Sequence, residues 1–236
     1  MLDFLMISTR STKRGVIEIY PKFIIKKSSD LMIRGGDFYA IWIEERGLWS
    51  TDEQDALILI DKYLDEYAEE NKGKFEAQVR VMHMWDAESG MIDTWHKYCQ
   101  KQMRDSFHQL DDTLIFANTK VSKKDYSSKR LPYPLEKGDI SAWDKLISTL
   151  YSPEERHKIE WSIGAIVTGD SKNIQKFMVF YGSAGTGKST ILNIIQKLFE
   201  GYYSVFDARA LGSSSNSFAL ESFKSNPLVA IQHDGD

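Results

Sequence analysis

The alternation of apolar and polar residues in the first fifty positions has the short period of β-strands. Runs rich in β-branched and aromatic side chains cover residues 16–20 and 38–43, and Gly35 and Gly36 between them supply a turn. The mixed residues 1–14, which end in a basic run, are predicted to form a solvated tail. This part of the chain is therefore expected to form a small antiparallel sheet or a set of hairpins.

Helical periodicity begins after Thr51 or Asp52, either of which can cap a helix. Apolar residues then recur every three or four positions, with acids on the opposite face: Ala56, Leu57, Ile60, Tyr63, Leu64 and Tyr67. Residues 75–110 predict further helix, interrupted near Gly90. Trp42 and Trp49 are interpreted as core anchors rather than base-stacking platforms, because aromatic side chains dominate protein cores.

A short apolar run over 114–118 predicts a strand, and a basic segment over 120–133 follows it. This segment predicts an exposed connection and a domain boundary. Its lysines and arginine could contact a phosphate backbone, but a solvated linker is the favoured interpretation. Two helices are then predicted, over 142–151 and 153–167. Ser152 is placed as the N-cap of the second, which ends near Gly169.

The strongest pattern in the chain is an apolar run over 176–181, a glycine-rich loop and a helical repeat that reaches residue 198. This is the strand–loop–helix setting of a Walker A motif. The motif residues are Gly182, Ser183, Ala184, Gly185, Thr186, Gly187, Lys188 and Ser189, with Thr190 as an additional hydroxyl. The sequence therefore predicts nucleotide binding at residues 182–190.

Each fixed residue of this motif has a physical role in holding a triphosphate. The glycines let the backbone turn tightly and bring its N–H groups close to phosphate oxygens. The helix that begins near Lys188 adds its positive end, and the lysine itself can reach the β- and γ-phosphates. The hydroxyl of Ser189 can bind Mg²⁺. ATP and Mg²⁺ are thus the predicted cofactors.

An apolar strand that ends in acids follows downstream of this motif, over 228–236. A Walker B element has this form, because a carboxylate at the end of the strand must hold Mg²⁺ and polarise the attacking water. Asp234 is the first choice for that carboxylate and Asp236 the second. The alternative is an ordinary strand that ends in a turn.

Composition narrows the class of protein. The chain has 236 residues, enough for one large or two modest domains, and 42% hydrophobic with 27% charged residues is typical of globular proteins. The net charge of −4 means that any contact with DNA needs a local patch of positive charge or an assembled ring.

The single cysteine, Cys99, fits a reducing cytoplasm, or that of an infected host, and no apolar run could cross a membrane. The histidines lack zinc-ligand spacing.

Beyond these motifs, the chain resembles the superfamily 3 helicases, in particular the phage and poxvirus primase-helicase branch. The similarity covers residues 110–236 and extends loosely to the earlier part. It rests on five segments: 114–118, 143–147, 165–170, 175–192 and 216–221. The family often has asparagine where this chain has Thr186, a residue that also occurs there in AAA+ ATPases.

This resemblance implies an α/β fold with an AAA+-like parallel-sheet core over 176–236, preceded by a helical lead-in over 131–175 and a mixed, mainly helical domain over 1–130. It implies hexameric rings that hydrolyse Mg-ATP and translocate 3′ to 5′ on single-stranded or forked DNA, together with other replication proteins. Lys188 and Asp234 would be catalytic, and Ser189, Asp234 and Asp236 would hold the metal. No primase active site is visible.

The family's sensor asparagine, pore hairpin and arginine finger would all follow residue 236. The chain is therefore expected to be the front portion of a split or incompletely recorded gene. Two alternatives stay open. One is another P-loop enzyme such as a nucleotide kinase, although kinases commonly place the loop near the N-terminus and here only Arg209 follows it as a candidate lid arginine. The other is a truncated chain that binds nucleotide weakly or only contacts partners.

Overall fold

The computed structural model describes residues 2–24, 27–34, 38–101, 108–207, 209, 221–224 and 226–233. The fold is mixed α/β, with several small sheets of which some contain parallel strands. The chain forms two compact units. The first comprises Met1–Asp112 and Lys120–Ser128, and the second Thr113–Thr119 and Lys129–Asp236. Within the described ranges, no helix has both the length and the apolar character needed to cross a bilayer.

Two three-stranded sheets build the first unit. In one sheet, β2 pairs antiparallel with β1 and parallel with β6; these strands are Leu5–Ser11 (β1), Ile17–Phe23 (β2) and Val79–Val81 (β6). The other sheet is an antiparallel meander of Leu31–Arg34 (β3), Phe38–Ile43 (β4) and Leu48–Ser50 (β5). The predicted strands over 16–20 and 38–43 are therefore confirmed, whereas the turn at Gly35 and Gly36 lies outside the described residues.

The N-terminal residues are not the solvated tail that the sequence predicted. Leu2, Phe4 and Leu5 are buried, and β1 pairs with β2 along its whole length. The side chains that made this segment look like a tail are the polar ones of β1, such as Arg10, which bonds Glu18 across the pair at 2.6 Å. The prediction was wrong because a strand with one face exposed to solvent contains few apolar residues and therefore resembles an unstructured polar segment in sequence.

Helix α1 (Glu53–Glu70) confirms the predicted helix after Asp52, whose side chain accepts a hydrogen bond from the backbone N–H of Gln54 at 2.9 Å. Its apolar face, with Ala56, Leu57, Ile60 and Leu64, is buried in the hydrophobic core of the first unit. Of the helix predicted over 75–110 with an interruption near Gly90, the part after Gly90 is confirmed as helix α2 (Met91–Lys101), whereas the part before it was wrong, because it contains strand β6.

Trp42 and Trp49 are core anchors, as predicted. Both side chains are buried, and their ring centroids lie 5.8 Å apart. The indole N–H of Trp49 donates to the backbone carbonyl of Lys123 at 2.9 Å, which satisfies its polar atom inside the core. These two rings therefore have structural partners that account for their burial.

The basic segment over 120–133 is also not a solvated linker. It contains strand β8 (Ser127–Arg130), which pairs with β7 (Asp111–Ile115). Lys123 pairs with the carboxylate of Asp30. The Lys129 side chain is buried and its ammonium donates to the carbonyl of Asn226 at 3.1 Å. Basic residues in this segment thus have structural roles within the fold.

In its described part, the second unit contains four α-helices and two paired strands after β8. The helices are Ser141–Leu150 (α3), Pro153–Thr168 (α4), Ser171–Ile174 (α5) and Lys188–Leu198 (α6). The strands Tyr203–Val205 (β9) and Val229–Ile231 (β10) pair in parallel. Their shared core contains the buried residues Leu114, Phe116, Leu131, Ile147, Ile159, Ile191, Ile195, Phe199 and Ile231.

The start and end of α4 match the sequence prediction in detail. The Ser152 hydroxyl and the Glu155 carboxylate exchange hydrogen bonds with each other's backbone N–H groups in a capping box, and Pro153 occupies the first turn. Gly169 ends the helix with φ of 76°. Residues 131–175 therefore lie in the same compact unit as the glycine-rich loop, with α4 as their longest helix.

The strand predicted immediately before the loop differs from the structure. Residues 176–181 have no regular secondary structure, and no described strand pairs with them. Phe177, Val179 and Tyr181 are 89%, 68% and 99% exposed. In the second unit, the parallel strands among the described residues are therefore β9 and β10.

Candidate functional site

The glycine-rich loop has a backbone that only glycine adopts easily. Gly182, Gly185 and Gly187 have φ of 150°, 81° and 79°, in a region that disfavours side chains with a Cβ. At Gly187 there is a second restriction, because a Cβ there would lie 2.7 Å from Cδ1 of Leu150. The conformation and the packing therefore explain why glycine stands at these positions.

The ammonium group of Lys188 lies within this loop. Its Nζ donates to the backbone carbonyl oxygens of Gly182 at 2.8 Å and Ser183 at 2.6 Å, and to the hydroxyl of Thr186 at 3.2 Å. These three acceptors match the three N–H donors of an ammonium group. The positively charged, half-buried ammonium is therefore held at the loop by residues that lie two to six positions before Lys188 in the motif.

Helix α6 begins at Lys188 without a side-chain cap, since Gly187 occupies the N-cap. Helices α1 and α4 in the same chain have their first turns capped by Asp52 and Ser152. An uncapped first turn leaves backbone N–H donors available, and no side-chain oxygen offsets the partial positive charge of the helix dipole there. Because Lys188 supplies charge at the same place, this end of α6 is suited to an anion with several oxygens.

The remaining residues of the motif are open to solvent. Ser183, Ala184, Ser189 and Thr190 are all exposed. The hydroxyls of Ser189 and Thr190 lie in the first turn of α6, next to Lys188 in sequence. A ligand bound at the loop can therefore approach the Ser189 hydroxyl without rearrangement of buried side chains.

The C-terminal end of α3 supports the loop from the protein side. Leu150 packs against Gly187, and the ring of Tyr151 meets that of Phe180 edge-on, with centroids 6.4 Å apart. Burial, and to a lesser extent the charge of Glu155, raises the pKa of Tyr151. Sequence reasoning placed Leu150 only within a helix, because its contact with the loop is set by tertiary packing.

The predicted metal-binding acids Asp234 and Asp236 lie outside the described residues. The strand that precedes them is confirmed as β10, in register with β9 from Val229 opposite Tyr203 to Ile231 opposite Val205. Beyond this strand, the ring of His233 forms a hydrogen bond with the Gln196 side chain at 2.8 Å. Gln196 lies eight residues after Lys188, which corresponds to about 12 Å along α6.

A group of three or more acids, histidines or cysteines that could hold a metal ion is not present in the described part of the chain. His83 and His96 instead bond to Asp65 and Glu53, each at 2.7 Å. The Mg²⁺ prediction therefore rests on Ser189 together with the two acids at the C-terminal end.

No protein-family model matches the chain, and no curated protein or solved structure is significantly similar to it.

Proposed function

We propose that residues 182–190 bind the phosphates of ATP, and that the second unit is the ATP-binding part of a superfamily 3 type DNA helicase. The observation that carries the proposal is the Lys188 ammonium held against the Gly182 and Ser183 carbonyls, beside the uncapped first turn of α6. A positive charge and several free N–H donors in one small volume fit a triphosphate with its negative charge and many acceptor oxygens.

In this proposal each residue has a distinct role. The backbone of the loop surrounds the β-phosphate, and Lys188 neutralises the β- and γ-phosphate oxygens. The exposed hydroxyl of Ser189 binds Mg²⁺. Asp234, with Asp236 as the second choice, would hold the Mg²⁺ ion together with Ser189 and would orient the attacking water.

The parallel pairing of β9 and β10 supports an AAA+-like parallel-sheet core. These strands come after α6 in sequence, and two parallel strands need a crossover connection between them. In such a sheet, carboxylates that follow a strand and a loop that follows a strand meet at the same edge. The proposed core would bring the C-terminal acids to the nucleotide once residues 176–181, which form no strand here, pair as a strand of this sheet.

The wider function follows from the family resemblance. ATP hydrolysis would drive a homo-hexameric ring along single-stranded or forked DNA during replication, with other replication proteins, in the cytoplasm of a cell or of a phage-infected host. The net charge of −4 is compatible with this function if positive residues line only the DNA channel of the ring.

Binding of Mg-ATP to the purified chain, measured by calorimetry, tests the proposal. We expect saturable binding that Lys188→Ala weakens by at least about tenfold, because it removes a charged contact to phosphate. Lys197→Ala, in the last turn of the same helix, is the matched control and should leave affinity unchanged. Equal affinity in wild type and Lys188→Ala would contradict the assignment.

Nucleotide binding without turnover is the second candidate function. It is favoured by the hydrogen bond between His233, the last described residue before the predicted acids, and Gln196. Gln196 lies about 12 Å along α6 from Lys188, so this bond holds the end of the described chain beside the last turn of the helix and not beside its first turn. DNA-stimulated ATP hydrolysis would support the helicase, and phosphoryl transfer to a nucleoside monophosphate would support a kinase. Binding with no hydrolysis under either condition would support the non-catalytic alternative.

A further inference from the structure

We propose that Thr186 is a positioning residue that holds the Lys188 ammonium in place for the phosphates; this inference rests on the proposed function. Thr186 occupies a variable position of the loop motif, so the motif itself assigns no role to its side chain.

The Thr186 hydroxyl forms hydrogen bonds with both Lys188 and Ser183, and these two residues also bond to each other. It donates its proton to the carbonyl oxygen of Ser183 at 3.0 Å, and its oxygen accepts a hydrogen bond from Nζ of Lys188 at 3.2 Å. The donor and acceptor roles are consistent, because a hydroxyl has one proton and two lone pairs. Thr186 therefore closes a ring of hydrogen bonds with Ser183 and Lys188.

This ring fixes the lysine before any ligand arrives. The carbonyls of Gly182 and Ser183 hold two N–H groups of the ammonium, and Thr186 supplies the third acceptor. A long lysine side chain loses conformational entropy when it is held in one position. If the free protein already holds it there, less of that entropy is lost on nucleotide binding, which strengthens binding.

The structure also explains why a threonine fits at this position. Its hydroxyl lies 3.6 Å from the place where a Cβ of Gly182 would be, so the side chain folds back across the start of the loop. Valine has nearly the same shape as threonine and lacks only the hydroxyl. Thr186→Val therefore removes the two hydrogen bonds without a large change in volume, whereas Thr186→Ser keeps the hydroxyl.

The first experiment uses the nucleotide-free protein. Acylation of lysine amines is followed by mass spectrometry in wild type, Thr186→Val and Thr186→Ser, with Lys197 as the internal reference. We expect Lys188 to react about threefold faster in Thr186→Val, since one of its hydrogen bonds is lost, and at the wild-type rate in Thr186→Ser. Equal Lys188 rates in wild type and Thr186→Val would overturn the inference.

The second experiment measures Mg-ATP affinity in the same three proteins, with circular dichroism to confirm that each is folded. We expect Thr186→Val to bind about fivefold more weakly and Thr186→Ser to restore the affinity. Tighter binding in Thr186→Val would overturn the inference, because the hydroxyl would then compete with phosphate. If the wild type shows no ATP binding but Lys188 reactivity responds as expected, the proposed function fails and the positioning of Lys188 by Thr186 stands.

Discussion

The two sides of the glycine-rich loop have very different environments. After the loop, α6 is regular and buries Ile191 and Ile195 in the second core. Before it, residues 176–181 are at least as apolar, yet Phe177 and Tyr181 are almost fully exposed. The loop thus joins a packed helix to an irregular apolar segment that pairs with no strand among the described residues.

This difference follows from where each element finds its hydrogen bonds. A helix satisfies its backbone within its own segment and needs only one apolar face to pack. A strand that is apolar on both faces needs neighbouring strands at its edges and cover on both sides. The sequence of 176–181 has the pattern of such a strand, and pairing with another strand would complete it.

The largest expected effect compares two phenylalanines on opposite sides of the loop. Phe199, at the end of α6, is 1% exposed, whereas Phe177 is 89% exposed. We expect Phe199→Ala to lower the free energy of unfolding by about 3–5 kcal/mol, and Phe177→Ala by less than about 0.5 kcal/mol. Urea denaturation of both variants measures the contrast. A similar loss for the two would mean that residues 176–181 are a buried strand in solution.

The second prediction concerns the backbone of the loop. Gly187→Ala should destabilise the loop by about 1–2 kcal/mol because of the positive φ, and more if Leu150 cannot move away. Its Mg-ATP affinity, measured by calorimetry, should fall with it. Gly164→Ala, within α4 and with open space around it, is the matched control. It should stabilise the protein by up to about 1 kcal/mol and leave ATP binding unchanged.

The third prediction compares a capped helix with the uncapped one. Ser152→Ala removes the capping box of α4 and should lower the melting stability by about 1 kcal/mol. Ser189→Ala, in the uncapped first turn of α6, should change stability by less than about 0.5 kcal/mol but weaken Mg²⁺-dependent ATP binding. A reversal of these two effects would contradict a structural role for Ser152 and a ligand role for Ser189.

The smallest effect is a pH dependence on α4. A hydrogen bond from the Trp143 indole N–H, at 2.8 Å, and the neighbouring Arg156 guanidinium hold the pKa of Glu160 below its ordinary value of 4.5. A carboxyl with a lowered pKa in the folded state stabilises the fold above that ordinary value, and this stability is lost as the pH falls through the folded pKa.

Glu160→Gln should therefore reduce the fall in melting temperature between pH 6 and pH 3 by a small amount, since the site is partly exposed. Glu154→Gln, on the same helix, is the comparison for a fully exposed ion pair with Lys158. An unchanged pH profile in Glu160→Gln would mean that ionisation of Glu160 does not contribute to the pH dependence of stability.

Sequence reasoning was most accurate where local chemistry decides the structure. The cap at Ser152, the cap at Asp52 and the start of α6 at Lys188 were all predictable, because each depends on residues within one helical turn. The loop motif was equally clear, and the structure adds the contacts that Lys188 makes within it.

Predictions failed where distant residues decide. Strand β1 was taken for a tail because most of its side chains are polar and at least partly exposed, and its pairing with β2 has no signal in the local sequence. The buried Lys129 and the Asp30-paired Lys123 were assigned to a solvated linker because charge alone does not reveal a tertiary partner. The contacts of Leu150 with Gly187 and of Gln196 with His233 have no signal in the local sequence.

The most direct test of the central claim locates the nucleotide on the protein. The chain has 15 glycines, and selective ¹⁵N-glycine labelling gives each a backbone amide signal in NMR spectra. During titration with a non-hydrolysable ATP analogue and Mg²⁺, we expect saturable shifts at Gly182, Gly185 and Gly187, and none at Gly15 or Gly73 in the first unit. Saturable shifts in the first unit, with the loop glycines unchanged, would contradict phosphate binding by residues 182–190.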